Sequence, residues 1–225
     1  MCGRFSIAAP VGPIENRFDV EIGFNYTPRF NCAPTQNIPV ISNQEPDVLS
    51  FYRWGLIPVW AKDKKIGNSL INARAETITE KPAFKNSFRR KRCLVPADGF
   101  YEWKRTAAKQ KTPYRIVMKD EGLFAMAGIW DRWKDEGGEI IHSFSIITTT
   151  PNELMRAIHD RMPVILERKD EKTWLQEDDQ DVLIGLLRPF PHELMKAYPV
   201  STLVNSPAND VPEVMAPVEF KKITN

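Results

Sequence analysis

Position 2 is a cysteine in a chain that opens Met1-Cys2-Gly3-Arg4. A small residue after Met1 permits removal of the initiator methionine. Cysteine would then be the terminal residue, with two nucleophiles on adjacent carbons. Its α-amine has a pKa of about 7.7–8 and its thiol one of about 8.5. The amine condenses with an aldehyde to a Schiff base, and the neighbouring thiol closes onto the same carbon as a thiazolidine. An internal cysteine cannot do this, because its nitrogen is an amide. Taken alone, Cys2 also reads as an incidental small residue, so its chemistry depends on what surrounds it.

Three further segments carry chemistry. In Ile71-Asn72-Ala73-Arg74-Ala75-Glu76 a polar pair follows a short apolar stretch. Asn72 suits a hydroxyl or carbonyl, and the planar fork of Arg74 suits a phosphate. The plainer reading is a turn asparagine with a structural ion pair. In Asp98-Gly99-Phe100-Tyr101-Glu102-Trp103 strand alternation sets Phe100 and Glu102 on one face and Tyr101 and Trp103 on the other. A carboxylate among aromatics is desolvated, which raises its pKa toward the range useful for acid–base work. The plainer reading is an exposed acid on an edge strand. In His159-Asp160-Arg161-Met162-Pro163 a histidine stands where a polar loop enters an apolar run, a fitting place for a proton shuttle. His142 and His192 read as structural.

The elements that must position these groups are short and mostly extended. Residues 38–42 and 48–54 read as strands around a polar turn at 43–47. Residues 113–119 and 123–130 flank a turn containing Asp120 and Gly122, and 140–148 follow a second hairpin signal at 135–138. These β-branched and aromatic runs lie too close together for βαβ crossovers. Helices are expected at 151–157, with Thr150 as N-cap, and at 168–176 and 179–187. A last strand is expected over 198–204. The expectation is α+β: a single domain over residues 1–225, built on a mainly antiparallel, partly closed β-barrel-like sheet with peripheral helices.

Composition bounds the function. The chain has 225 residues, 42% hydrophobic and 27% charged, which is globular and long enough for a real core. It has no apolar run of the roughly 18 residues needed to span a membrane and no signal-peptide pattern. Three cysteines without CxxC or zinc spacing fit a reducing compartment and imply no metal or cofactor. Cys32 and Cys93 read as core residues. Net charge is +2, but residues 81–112 hold ten Lys/Arg against Asp98 and Glu102, or +8, on a body of −6. Such a segment attracts a polyanion or simply faces solvent.

Taken together, these segments resemble the SRAP family, the SOS-response-associated peptidase-like proteins. The resemblance rests on Met1-Cys-Gly-Arg-Phe5, Asn31-Cys-Ala-Pro34, Trp54-Gly-Leu-Ile-Pro58 with Trp60, Asn72-Ala-Arg74, Pro96 to Lys104, His159 to Pro163, Val200-Ser201 and Val204-Asn205. It runs in order along nearly the whole chain. It implies a compact β-rich domain with a DNA groove. It also implies that the mature terminal cysteine captures the ring-opened aldehyde of an abasic site in single-stranded DNA. Carried over, Cys2 is the nucleophile and Asn72 orients the opened sugar. Glu102 and His159 move protons, while Arg4, Arg74 and Arg161 hold phosphates. Pro34 and Trp60 shape the groove and stack on bases. The implied partner is single-stranded DNA containing abasic sites, bound by a cytoplasmic monomer (nucleoid-associated in a bacterium). A cysteine peptidase using Cys2 and His159 (self-processing of Met1) and a non-catalytic reader of damaged or modified DNA remain as alternatives.

Overall fold

The computed structural model describes residues 2–105 and 111–219. Met1, whose removal was expected, and Lys109 of the basic segment lie outside the described residues. Among the described residues there are thirteen strands: β1 (Phe5–Ile7), β2 (Arg29–Cys32), β3 (Asn37–Ser42), β4 (Glu45–Trp54), β5 (Asn72–Arg74), β6 (Arg92–Ala97), β7 (Gly99–Arg105), β8 (Lys111–Met118), β9 (Phe124–Lys134), β10 (Ile140–Thr149), β11 (Met162–Pro163), β12 (Ile165–Leu166) and β13 (Met195–Pro199). The helices are α1 (Val11–Phe18), α2 (Lys85–Arg90), α3 (Glu153–Arg156), α4 (Arg168–Gln176) and α5 (Gln180–Gly185).

The expected hairpins form at β3–β4 and β9–β10. Pairing then runs β3–β4–β10–β9–β6 and back to β3, so five strands make a closed barrel. Closure goes further than the partly closed sheet expected, and it removes the free edges. One pair in the ring, β4–β10, is parallel. Past the end of β4 its place beside β10 is taken by β5, also parallel, with Asn72 opposite Ile146. The indole N–H of Trp54 donates to the Ile71 carbonyl at 3.0 Å and seals this junction. Gly55 turns the chain there at φ 122°, where a Cβ would strike the Gly67 carbonyl. A side chain at position 55 is therefore excluded both sterically and by its dihedral.

The second sheet is antiparallel, in the order β13–β8–β7–β1–β2. The turn at Asp120–Gly122 is thus not a hairpin. It hands the chain from β8 in this sheet to β9 in the barrel. Both strands are buried along much of their length, and the core decides their partners rather than the turn between them. The last strand is β13, earlier than expected, because the Ser201 hydroxyl accepts from the Leu203 amide and turns 202–205 into a 3₁₀ helix. The third helix is capped by Asn152, whose side chain accepts from the Met155 amide, and not by Thr150.

One main core joins barrel, sheet and helices, from Phe5 and Trp54 to Trp174 and Leu187. A smaller cluster of Tyr101, Val200, Val204 and Val214 lies on the other face of β7, with Trp103 packed on it. The alternation expected for residues 100–103 is therefore realised. Cys32 and Cys93 are buried, as read. Arg92 is buried too. Its guanidinium donates to the carbonyls of Trp174 (2.7 Å), Arg89 (2.8 Å) and Phe88 (3.1 Å), and so caps the ends of α2 and α4. That member of the basic run belongs to packing.

Candidate active site at the seam of sheet and barrel

The two sheets bring the four expected reacting residues from different directions. The Tyr101 amide donates to the Arg4 carbonyl at 2.9 Å, which lays the N-terminal segment along β7. Cys2 precedes β1, and Glu102 lies in β7. Asn72 opens β5, and His159 stands in the loop between α3 and β11. Both β5 and β11 pair with β10. The sheet thus supplies the nucleophile and a carboxyl, and the barrel supplies an amide and an imidazole.

Asn72 Nδ2 donates to the Cys2 carbonyl at 2.8 Å. Its Oδ1 is buried and has no hydrogen-bond partner among the described residues. Cys2 is fully buried, and its thiol is pushed up to about 12, first by that burial and then by the negative charge of Glu102. Glu102 is 2% exposed. Burial pushes its carboxyl above the usual range, and the nearby His159 imidazole opposes this in part. Glu102 Oε2 lies 4.0 Å from His159 Nε2.

His159 Nδ1 lies 2.9 Å from Asp160 Oδ1 and 3.1 Å from the Arg161 amide nitrogen, which orients the ring so that Nε2 faces Glu102. His159 also borders a cleft of about 580 Å³ with Trp103, Lys104, Arg105 and Arg156. Part of the basic segment therefore reaches the site, together with Arg156, which the sequence reading had not singled out.

The expected DNA-binding residues divide. Arg74 is exposed at the end of β5. Trp60 is 54% exposed. Pro34 is half-buried, in a turn whose next residue, Thr35, has φ 74°. Arg4 points inward instead. Its guanidinium donates to Asn31 Oδ1 at 2.8 Å and to the Val204 carbonyl at 2.6 Å, and lies 5.9 Å from the Trp103 ring centroid. Arg161 is also engaged. Its two terminal nitrogens donate to the Glu76 carboxylate at 2.6 and 2.8 Å, and one also reaches the Thr148 carbonyl at 2.6 Å. Glu76 closes the motif that holds Asn72 and Arg74, but nothing in the sequence indicates that its partner lies 85 residues away.

The SOS response associated peptidase (SRAP) family model matches residues 1–207. The chain is 49% identical over 221 residues to abasic site processing protein YoaM of Bacillus subtilis (strain 168), covering 96% of this chain and 97% of that protein. It is 35% identical over 225 residues to abasic site processing protein HMCES of Xenopus tropicalis, covering 86% of this chain and 67% of that one. A crystal structure of a protein from Bacteroides thetaiotaomicron matches with a TM-score of 0.89 and 34% identity, over 97% of this chain and all of that one. These matches show that the chain belongs to the SOS response associated peptidase (SRAP) family.

Proposed function

We propose that the protein processes abasic sites in single-stranded DNA by covalent capture, with the mature terminal Cys2 forming a thiazolidine with the ring-opened aldehyde. The observation that carries this reading is the convergence of Cys2, Asn72, Glu102 and His159 at one seam. The names of the relatives support it.

Once Met1 is removed, the free amine adds to the aldehyde carbon. The carbinolamine loses its hydroxyl as water and becomes a Schiff base. The Schiff base keeps its N–H as an iminium, the thiol adds to the same carbon as its proton passes to Glu102, and the net loss is one water. Glu102 gives a proton to the departing hydroxyl and takes one back from the thiol, a role suited to a carboxyl raised by burial. His159 assists opening of the sugar ring by moving a proton through Nε2, the nitrogen that faces Glu102. Asn72 holds the Cys2 carbonyl with its Nδ2 and offers its Oδ1 to a sugar hydroxyl. Arg74 holds an adjoining phosphate. Arg161 reaches one only by exchanging Glu76 for it. A cysteine peptidase needs a thiol lowered by a neighbouring cation, and here burial and Glu102 act in the opposite direction.

Intact mass before and after incubation with abasic single-stranded DNA tests the reading. The expected product is protein without Met1, plus DNA, minus water, formed only when the lesion is present. Cys2→Ala should bind the DNA and yield no adduct. Equal crosslinking by Cys2→Ala would overturn the mechanism, as would a Met1-free sample that forms none.

A further inference from the structure

A second cleft, of about 370 Å³, lies between the Pro58–Trp60 loop and α2, and its lining includes none of the four reacting residues. Trp60 projects into it from a loop fixed on both sides. The Val59 amide donates to Asp131 Oδ2 at 2.9 Å, and the Trp133 indole donates to the Ala61 carbonyl at 2.7 Å. A backbone held on both sides of Trp60 loses little freedom on binding. Across the cleft stand Arg89 and Arg90, both exposed at the end of α2. Their backbone is anchored, since the Arg89 carbonyl accepts from Arg92 and the Arg90 carbonyl from Asn43 Nδ2 at 3.0 Å. Lys91 is neutralised by Asp131 at 2.5 Å, so the two guanidinia carry the local charge.

An exposed aromatic face sharing a cleft with two guanidinia matches a base and its neighbouring phosphates. The cleft is also within reach of the seam. Trp54 bonds to Ile71, next to Asn72, and Trp60 lies six residues further on. That stretch extends to no more than about 20 Å, well inside the span of a single-strand site of roughly 4–16 nucleotides.

We propose that this cleft is a separate subsite for unpaired polynucleotide, in which Trp60 stacks a base distant from the lesion while Arg89 and Arg90 hold adjoining phosphates. It rests on the reading of the chain as an abasic-site protein and extends it. The family resemblance implied only the stacking by Trp60. The new elements are the two guanidinia and a cleft outside the reacting centre.

The test uses lesion-free oligothymidylate of about 3 and about 12 nucleotides, below and within the usual site sizes. Affinity is measured across a salt series. Arg89→Ala/Arg90→Ala should weaken binding of the longer strand about tenfold and lower its salt slope by about 1.4, two contacts at about 0.7 each. The preference for the longer strand should shrink. Trp60→Ala should cost the longer strand roughly 5- to 150-fold. Arg89→Lys/Arg90→Lys should keep the slope. Lys169→Ala/Lys172→Ala removes two exposed charges from α4 and should leave it unchanged. An unchanged slope in the arginine variant overturns the subsite. So does an equal loss from the α4 variant, or an equal loss on both lengths. Crosslinking to an abasic strand by the unaltered protein is read in parallel. Its failure would sink the capture chemistry, while the subsite would still be decided by the lesion-free strands.

Discussion

At the scale of the residue, the proton-moving role proposed for Glu102 comes with a cost to the fold. Its carboxyl holds its proton to a higher pH in the folded chain than in the unfolded one, because it is buried. Between the ordinary glutamate value and the raised one, the folded state binds more protons. Stability therefore falls as pH rises through that window. Glu102→Gln should abolish this fall and leave the melting temperature at neutral pH at or above that of the unaltered protein. The same substitution should slow capture by roughly 10²–10⁴, the usual size of acid–base assistance. Thermal melts across the pH range and single-turnover crosslinking measure the two effects. Wild-type crosslinking rates would remove Glu102 from the proton-moving role. The types of Cys2, Asn72, Glu102 and His159 were legible in the sequence because their chemistry resides in the side chain itself. The inward turn of Arg4 and the pairing of Arg161 with Glu76 were not, because a guanidinium serves a phosphate and a carboxylate equally well.

At the scale of the element, the seam depends on how β1 is held to β7. Asp98 accepts from Ser6 Oγ at 2.6 Å, from the Ala8 amide, and from Arg115 at 2.8 Å. Arg115 also donates to the Tyr198 hydroxyl at 2.8 Å, which brings in β13. Both partners of the ion pair are largely buried. Asp98→Ala should therefore cost roughly 3–5 kcal/mol, the price of leaving a buried guanidinium unpaired. Urea unfolding measures this, and a loss below about 1 kcal/mol would show that the pair behaves as a surface bridge. The Glu76–Arg161 contact ties the end of β5 to β11 in the same way, but with Glu76 half-exposed. A double-mutant cycle of Glu76→Gln and Arg161→Ala should return a smaller coupling, about 1 kcal/mol. A coupling near zero would mean that the contact does not hold the two segments together. The strands themselves were legible from β-branched and aromatic runs. The partner of β8 was not, since a turn signal marks where a chain bends and not which sheet receives it.

At the scale of the molecule, the basic segment does not form one surface. Lys104 and Arg105 border the cleft beside His159, Arg89 and Arg90 border the cleft beside Trp60, and Arg92 is buried. Binding of single-stranded DNA should accordingly weaken with salt. Arg74→Ala should lower the slope by about 0.7, one phosphate contact. A titration at several salt concentrations reads this, and an unchanged slope would show that Arg74 does not meet the backbone. The charge excess was legible from composition. Its partition was not, nor was the parallel β4–β10 pairing that closes the barrel, because both depend on contacts between residues far apart in the chain. The same long-range closure bears on the order of synthesis. Arg4 is held by the Val204 carbonyl, and Asn31 by the carbonyls of Ser206 and Asn209 at 3.0 and 2.9 Å. Residues near position 4 are thus fastened by residues about 200 positions later in the chain. A nascent chain lacks the clasp on its leading end until Val204 and Asn209 have left the ribosome. The proposed aldehyde trap would take its final form only once that stretch has been made.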